Sequence, residues 1–154
     1  MDSSSFEVRK IPFEEIFPLW RNELWKDRED PIRPLSSMTL SGGYDMGIYR
    51  RFQPVFFGLF ENGVLVGCNS CHPSSETEMR SRGLFIRESS RGKNGSRLLL
   101  KAAFEEARAR GSLILWSYPR RASAGAYLSF GFVPTRDCEK SPSHQYVSMS
   151  VNPR

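Results

Sequence analysis

What the chain has little of narrows it first. Only three cysteines and two histidines stand among 154 residues. So sparse and odd a cysteine count excludes a disulfide framework and points to a reducing cytoplasm. Apolar residues never run for the roughly 20 positions that a membrane span needs. The opening MDSSSFEVRKIPFEEIF lacks the apolar centre of a signal peptide. No internal repeat and no low-complexity tract is present. Charge of one sign is nowhere massed: 22 Lys and Arg against 17 Asp and Glu give +5, with the basic residues spread out. A dispersed excess of that size reads as a solvated surface plus a site for an anionic ligand, not as a nucleic-acid face.

Metal and haem chemistry find weak support. Cys68-Asn69-Ser70-Cys71-His72 matches the CxxCH haem-attachment pattern. It also continues an apolar strand, where residues three apart face opposite sides, so no haem is expected. Zinc would need Cys138 and His144 as further ligands, and their spacing is not that of a finger. No metal is expected either.

One domain over residues 1–154 is expected, with the polar residues 1–5 disordered. Phe6, Val8 and Ile11 suggest a first strand. Pro12 suits a first helical turn, with Glu14 and Glu15 where the dipole favours acids. Phe13, Ile16, Phe17, Trp20 and Leu24 recur at helical spacing, so this helix should reach Trp25. Leu35-Ser36-Ser37-Met38 reads as a short second helix, and residues 41–45 as a turn. The clearest hairpin joins residues 55–60 to 64–68 through Asn62-Gly63, the preferred pair for a type I′ turn. Residues 78–86 read as one strand. A helix over 95–110 should bury Leu99, Leu100, Ala103, Phe104 and Ala107, pair Glu106 with Arg110 and stop at Gly111. Leu113-Ile114-Leu115-Trp116 is apolar enough for a sheet interior. Residues 123–130 fit a last helix, stopped by Gly131. A strand opens at Phe132-Val133, and residues 146–151 form an exposed closing strand able to pair between subunits as a homodimer. This order specifies an α/β (α+β) fold with a single mixed sheet and helices on both faces.

The stretch 84–111 concentrates the chemistry. A strand ending in Leu84-Phe85-Ile86 delivers Arg91-Gly92-Lys93-Asn94-Gly95-Ser96 to a helix N-terminus. Free amides and the helix dipole favour a phosphate there. Gly92 and Gly95 give backbone freedom, Asn94 tolerates the left-handed region, and Ser96 is small. Arg91 and Lys93 add charge. The turn is neither a Walker A loop nor the Rossmann GxGxxG.

At these residues the chain resembles the GNAT superfamily of N-acetyltransferases. The family pattern is a strand ending in an L-Y-V-like triplet, then [RQ]-x-x-G-x-[GA], then a helix with paired leucines. Leu84-Phe85-Ile86, the turn from Arg91 to Ser96, and Leu99-Leu100 follow that register to Gly111 without a gap. Asn94 stands where the family usually has its first motif glycine, and Ser96 where it usually has Gly or Ala. Tyr127 stands four residues before Gly131-Phe132, as does a family tyrosine whose hydroxyl lies near the thioester sulfur. Arg120 stands where the family often has Asn. The resemblance covers residues 55–151; residues 1–50 fit in layout only.

The resemblance implies a GNAT-type, mostly antiparallel sheet of six to seven strands. It should be splayed between the Leu84-Ile86 strand and the Leu113-Trp116 strand. It implies acetyl-CoA (coenzyme A) as co-substrate, with the pyrophosphate on the amides from Gly92 to Ser96. The pantetheine arm would run along the backbone of Leu84, Phe85 and Ile86. An acceptor amine of a small molecule or exposed peptide would attack the thioester directly. A backbone N–H near Phe85 or Ile86 would stabilise the oxyanion, and Tyr127 would protonate the thiolate.

The acceptor side is less defined. Glu78, His72, Asp45 and a water chain stay open as the base. Arg80, Arg82, Arg120 and Arg121 form either a basic acceptor cleft or a charged exposed strand face. Trp20, Trp25 and Tyr44 either wall the acceptor site or belong to the core and rim. The alternative to an enzyme is an inactive acyl-CoA-binding sensor of the same fold. Acetyl-CoA should stabilise the protein by about 2.7 kcal/mol at 100-fold excess over Kd. A thermal melt with millimolar acetyl-CoA that does not move would remove enzyme and sensor together.

Overall fold

The computed structural model describes residues 5–136 and 143–151, so Cys138 and residues 1–4 lie outside the described residues. The chain forms β1 (Phe6–Ile11), α1 (Phe13–Leu19), α2 (Ile48–Arg51), β2 (Val55–Glu61), β3 (Val64–Pro73), β4 (Glu78–Ser81) and β5 (Phe85–Ile86). Then come α3 (Gly95–Ala109), β6 (Ile114–Ser117), α4 (Gly125–Phe130), β7 (Val133–Arg136) and β8 (Tyr146–Ser150). One sheet runs β1-β2-β3-β4-β6-β8-β7, with β5 paired beside β4 on β3. Among the described residues only β4 and β6 pair in parallel, joined by the crossover through α3. Among the described residues no helix is long and apolar enough to cross a membrane.

Period-two alternation divides the core between the two faces of the sheet. On one face Leu59, Cys71, Met79, Leu115 and Val147 pack under Leu99, Leu100, Ala103 and Ala107 of α3. On the other, Phe56 and Cys68 pack under Ile16, Leu19 and Trp20. Cys68 and Cys71 thus face opposite ways within β3, both buried as free thiols. Burial pushes both thiols well above their ordinary range. Asn62 (φ 51°) and Gly63 (φ 86°) make the tight turn between β2 and β3.

Several expectations need correction. Helix α1 begins after Pro12, which stands at its N-cap. Beyond Pro18 it widens into a π-helical turn (Trp20–Leu24), closed by Trp25 N–H donating to the Trp20 carbonyl at 2.7 Å. A proline inside a helix removes one backbone donor and loosens the ladder there. Residues 35–38 are not helical. Four residues hold no helix without tertiary help, and here Asp45 N–H donates to Ser37 C=O, while Met38 bridges Tyr44. The short helix forms instead at Ile48–Arg51, where Ile48 is buried. Residues 78–86 are two strands, not one. Strand β8 lies between β6 and β7, so its edges are occupied and cannot pair subunits.

His72, on β3, is buried beside Ser70 Oγ (2.8 Å) and against the Phe56 ring. Burial, then the charges of Arg82 and Arg80, hold its imidazole well below the ordinary 6.5. The native state therefore keeps His72 neutral while the unfolded chain takes up a proton. Stability should be full above pH 6.5 and fall below it by up to about 1.4 kcal/mol per pH unit. Urea midpoints between neutrality and mild acid measure this; His72→Gln should flatten the slope.

Candidate active site

The site begins where β4 stops. Gly83 adopts φ 80°, and a Cβ there would overlap the Trp20 indole. Trp20 Nε1–H donates to the Gly83 carbonyl at 2.9 Å, and Cys68 Sγ–H reaches the same oxygen at 3.6 Å. The chain turns here, so β4 continues beside β6 while β5 pairs with β3 alone. A wedge opens between β5 and β6. An isolated glycine inside a strand pattern is the signal for such a break.

Backbone alternation directs β5 into that wedge. Arg87 N–H donates to Val66 C=O at 2.8 Å, and Cys68 faces Phe85 across the ladder. In an antiparallel pair the intervening residue points its backbone groups the other way. Ile86 therefore presents its N–H and C=O away from β3, and Arg91 Nε–H donates to that carbonyl at 2.7 Å.

The turn after β5 presents free backbone amides at a helix start. Gly92 has φ 79° and Asn94 φ 69°, so Asn94 takes the left-handed conformation at the N-cap of α3. No side chain caps the helix. Its first amides are left for a ligand, at the positive end of the dipole. Gly95 is set by packing, since a Cβ would meet Leu59 Cδ2 at 2.7 Å. A groove of about 750 Å³ runs over Leu84, Phe85, Ile86, Arg91, Gly92, Asn94, Gly95 and Ser96. Lys93 is not among its walls; its ammonium pairs with Glu61 at 2.9 Å. The cradle fits a pyrophosphate with a long thioester arm: unused amides, left-handed residues at its rim and an open strand edge beside it.

Tyr127 stands at the inner end. It is 3% exposed, with its ring edge-on to Phe132 at 5.1 Å. Its hydroxyl pairs with Ser81 Oγ at 3.1 Å, and Ser81 Oγ–H in turn donates to Asn69 Oδ1 at 2.9 Å. Burial pushes the phenol above its ordinary 10; hydrogen bonds with Ser117 and Ser81, and the Arg80 charge, pull more weakly the other way. At neutral pH Tyr127 keeps its proton. It lines a second cavity of about 460 Å³, which meets the groove at Leu24, Leu84 and Ser123. A third, of about 580 Å³, lies beyond and shares Trp25, Arg28, Arg80, Arg82, Tyr118 and His144 with the second.

A model of the Acetyltransferase (GNAT) family matches residues 14–132. The chain belongs to that family. A search of curated proteins finds no match. Among solved structures, Ard1 from Thermoplasma volcanium superposes with a TM-score of 0.68 at 18% identity, covering 96% of this chain and 98% of that one. PaiA N-acetyltransferase from Thermoplasma acidophilum, in complex with coenzyme A, gives 0.67 at 18%, covering 95% and 99%. YncA from Salmonella typhimurium, with its cofactor acetyl-CoA, gives 0.67 at 15%, covering 97% and 96%. At such identities the likeness is one of fold.

As a GNAT acyltransferase the chain brings together most of the residues its sequence singled out. Leu84, Phe85, Ile86, Arg91, Gly92, Asn94, Gly95 and Ser96 share the groove, and Tyr127 meets it through the adjoining cavity. None of the three proposed bases lines any of these cavities. His72 is buried, Asp45 pairs with Arg51 at 3.1 Å, and Glu78 lies outside them. Trp25 walls both acceptor-side cavities and Tyr44 the outer one, while Trp20 is core. Arg80, Arg82 and Arg120 line the cleft; Arg121 does not. Sequence reading missed Gly83, the support of Tyr127 by Ser81, Ser117 and Asn69, and His144 on the cavity wall. Polar residues inside otherwise apolar strands were the available signal for the support. Gly83→Ala should destabilise the protein by roughly 2–5 kcal/mol, from left-handed strain plus the indole clash. Urea denaturation measures it, and an unchanged midpoint would show that Gly83 is not the pivot.

Proposed function

We propose that the protein is an acetyl-CoA-dependent N-acetyltransferase that acetylates a primary amine by direct attack. The observation that carries this reading is Tyr127, a neutral buried phenol at the junction of the thioester groove and the inner cavity. The pyrophosphate rests on the amides at the start of α3, and the pantetheine arm lies along the outward backbone of Leu84 and Ile86. The neutral amine enters from the second cavity. Its nitrogen attacks the thioester carbonyl carbon and the C–N bond forms. The Ile86 N–H stabilises the oxyanion. As the C–S bond breaks, the thiolate takes the Tyr127 proton, and the amine nitrogen gives up its extra proton to a base.

His144 is the group we assign to that base. It lines both acceptor-side cavities and stacks on Tyr118 at 5.0 Å, with Nδ1 paired to Ser143 Oγ at 2.9 Å. Partial burial, then Arg120 and Arg80, hold it below the ordinary 6.5, so it is unprotonated at neutral pH. Asn94 adopts the left-handed turn and Ser96 lies on the groove wall, which supports cofactor binding at this turn. A reducing cytoplasm suits the free thiols of Cys68 and Cys71.

Tyr127→Phe should lower kcat by roughly 100-fold or more while acetyl-CoA still raises the melting temperature. Unchanged turnover would remove Tyr127 as the acid. The acid limb of the kcat/KM–pH profile should fall below 6.5 and disappear in His144→Gln; a limb that persists assigns the base elsewhere.

A further inference from the structure

Among the described residues, Arg28 and Arg80 on the acceptor side are answered by no acid. Arg28, Arg80 and Arg82 line both the second and third cavities; Arg120 joins the former and Arg33 the latter. Two acids, Asp27 and Asp30, line one cavity each. Among the described residues neither forms an ion pair with these arginines. Glu23, on the thioester side, is taken by Arg87 at 3.1 Å.

Neutral groups support the guanidiniums of Arg80 and Arg28 instead. Arg80 Nη1–H donates to Ser36 Oγ at 2.8 Å, and the guanidinium lies over the Trp116 ring at 5.5 Å. Its Nε is buried without a hydrogen-bond partner. Arg82 is 6% exposed, donates from Nη1 to the Arg33 carbonyl at 2.9 Å, and faces Trp20 and Trp25 at 5.0 and 5.4 Å. Arg28 also faces Trp25, at 5.3 Å. No carboxylate of the described residues lies within ion-pair distance of Arg80 or Arg28. Surface arginines need no partner, but several converging in a half-enclosed space repel one another and favour an anion between them. Burial already draws Arg80 down to about 10.

We propose that the acceptor is a small-molecule amine carrying an anionic oxygen group, a carboxylate or a phosphate-type group, which Arg80 and Arg28 hold across the inner cavity from the thioester. This rests on the acetyltransfer reading and adds the substrate class. Cavities of about 460 and 580 Å³ suit a small molecule. The guanidinium fork offers paired N–H groups to paired oxygens. Anchoring the anion fixes the distance at which the amine meets the thioester, which is how remote binding energy orients a reacting atom.

The test is thiol release from acetyl-CoA with matched amines: glycine, β-alanine, γ-aminobutyrate and ε-aminohexanoate, their carboxamides, and aminoalkylphosphonates of equal length. At least one anionic amine should exceed its carboxamide in kcat/KM by about 30-fold or more. The carboxylate and phosphonate arms tell which anion is used. Arg80→Gln should raise KM for that amine by a similar factor, with the stabilisation by coenzyme A intact as the check on folding; Arg28→Gln, at an exposed position, repeats the test if Arg80→Gln does not fold. Carboxamides that match or exceed every anionic amine would overturn the proposal and leave acetyltransfer standing. If no amine releases thiol although acetyl-CoA stabilises the protein, the acetyltransfer reading falls. Calorimetric titration of the same amines then decides the anion subsite: binding confined to anionic members and lost in Arg80→Gln supports it, and no such binding ends it.

Discussion

The contact between Trp20 and Gly83 is the constraint on which the site depends. The indole occupies the space a Cβ would need at Gly83, and its N–H holds the Gly83 carbonyl at 2.9 Å. This pin belongs to neither strand ladder, yet it decides where one ladder ends. With Gly83 held, β4 stays beside β6 and β5 is turned onto β3. The wedge that results leaves one backbone edge of β5 without a strand partner. Unpaired backbone groups are costly when buried and useful when a ligand can pair them. The same indole is the centre of the core on its face of the sheet, packed with Phe13, Phe56 and Trp25. Stability on that face and geometry of the wedge are therefore one property.

The two sides of the wedge offer a ligand different physics. On the side of the α3 turn the groups are mostly backbone: the amides before α3, and the outward edge of β5. They carry partial charges and need no counter-ion, so the turn keeps its shape whether or not a ligand is present. On the acceptor side the groups are guanidiniums supported by rings, a serine hydroxyl and a carbonyl. Tyr127 stands between the two. It is kept neutral by burial and held in place by the chain of hydrogen bonds through Ser81 to Asn69.

Residues 84–111 were the most legible part of the chain, because their chemistry is local. Left-handed tolerance at Gly92 and Asn94, the start of α3 and its stop at Gly111 depend on near neighbours in sequence. The hairpin at Asn62-Gly63 and the opposite faces of Cys68 and Cys71 were legible for the same reason, since turn type and strand period are local rules. The short helix expected at residues 35–38 was not, because its few residues are governed by the bond between Ser37 and Asp45 and the bridge between Met38 and Tyr44.

The sequence by itself determined most of the elements, their order, the left-handed turn before α3 and the place of Tyr127 on α4. Tertiary structure alone decided the rest: the break at Gly83, the burial of β8 between β6 and β7, the turn of Lys93 toward Glu61, and the meeting of Arg28, Arg80, Arg82 and His144 in one cavity. The physical reason is separation along the chain. A turn or a helix start is fixed by residues a few positions apart, whereas Trp20 finds Gly83, and Ser36 finds Arg80, only when the sheet has closed beneath them.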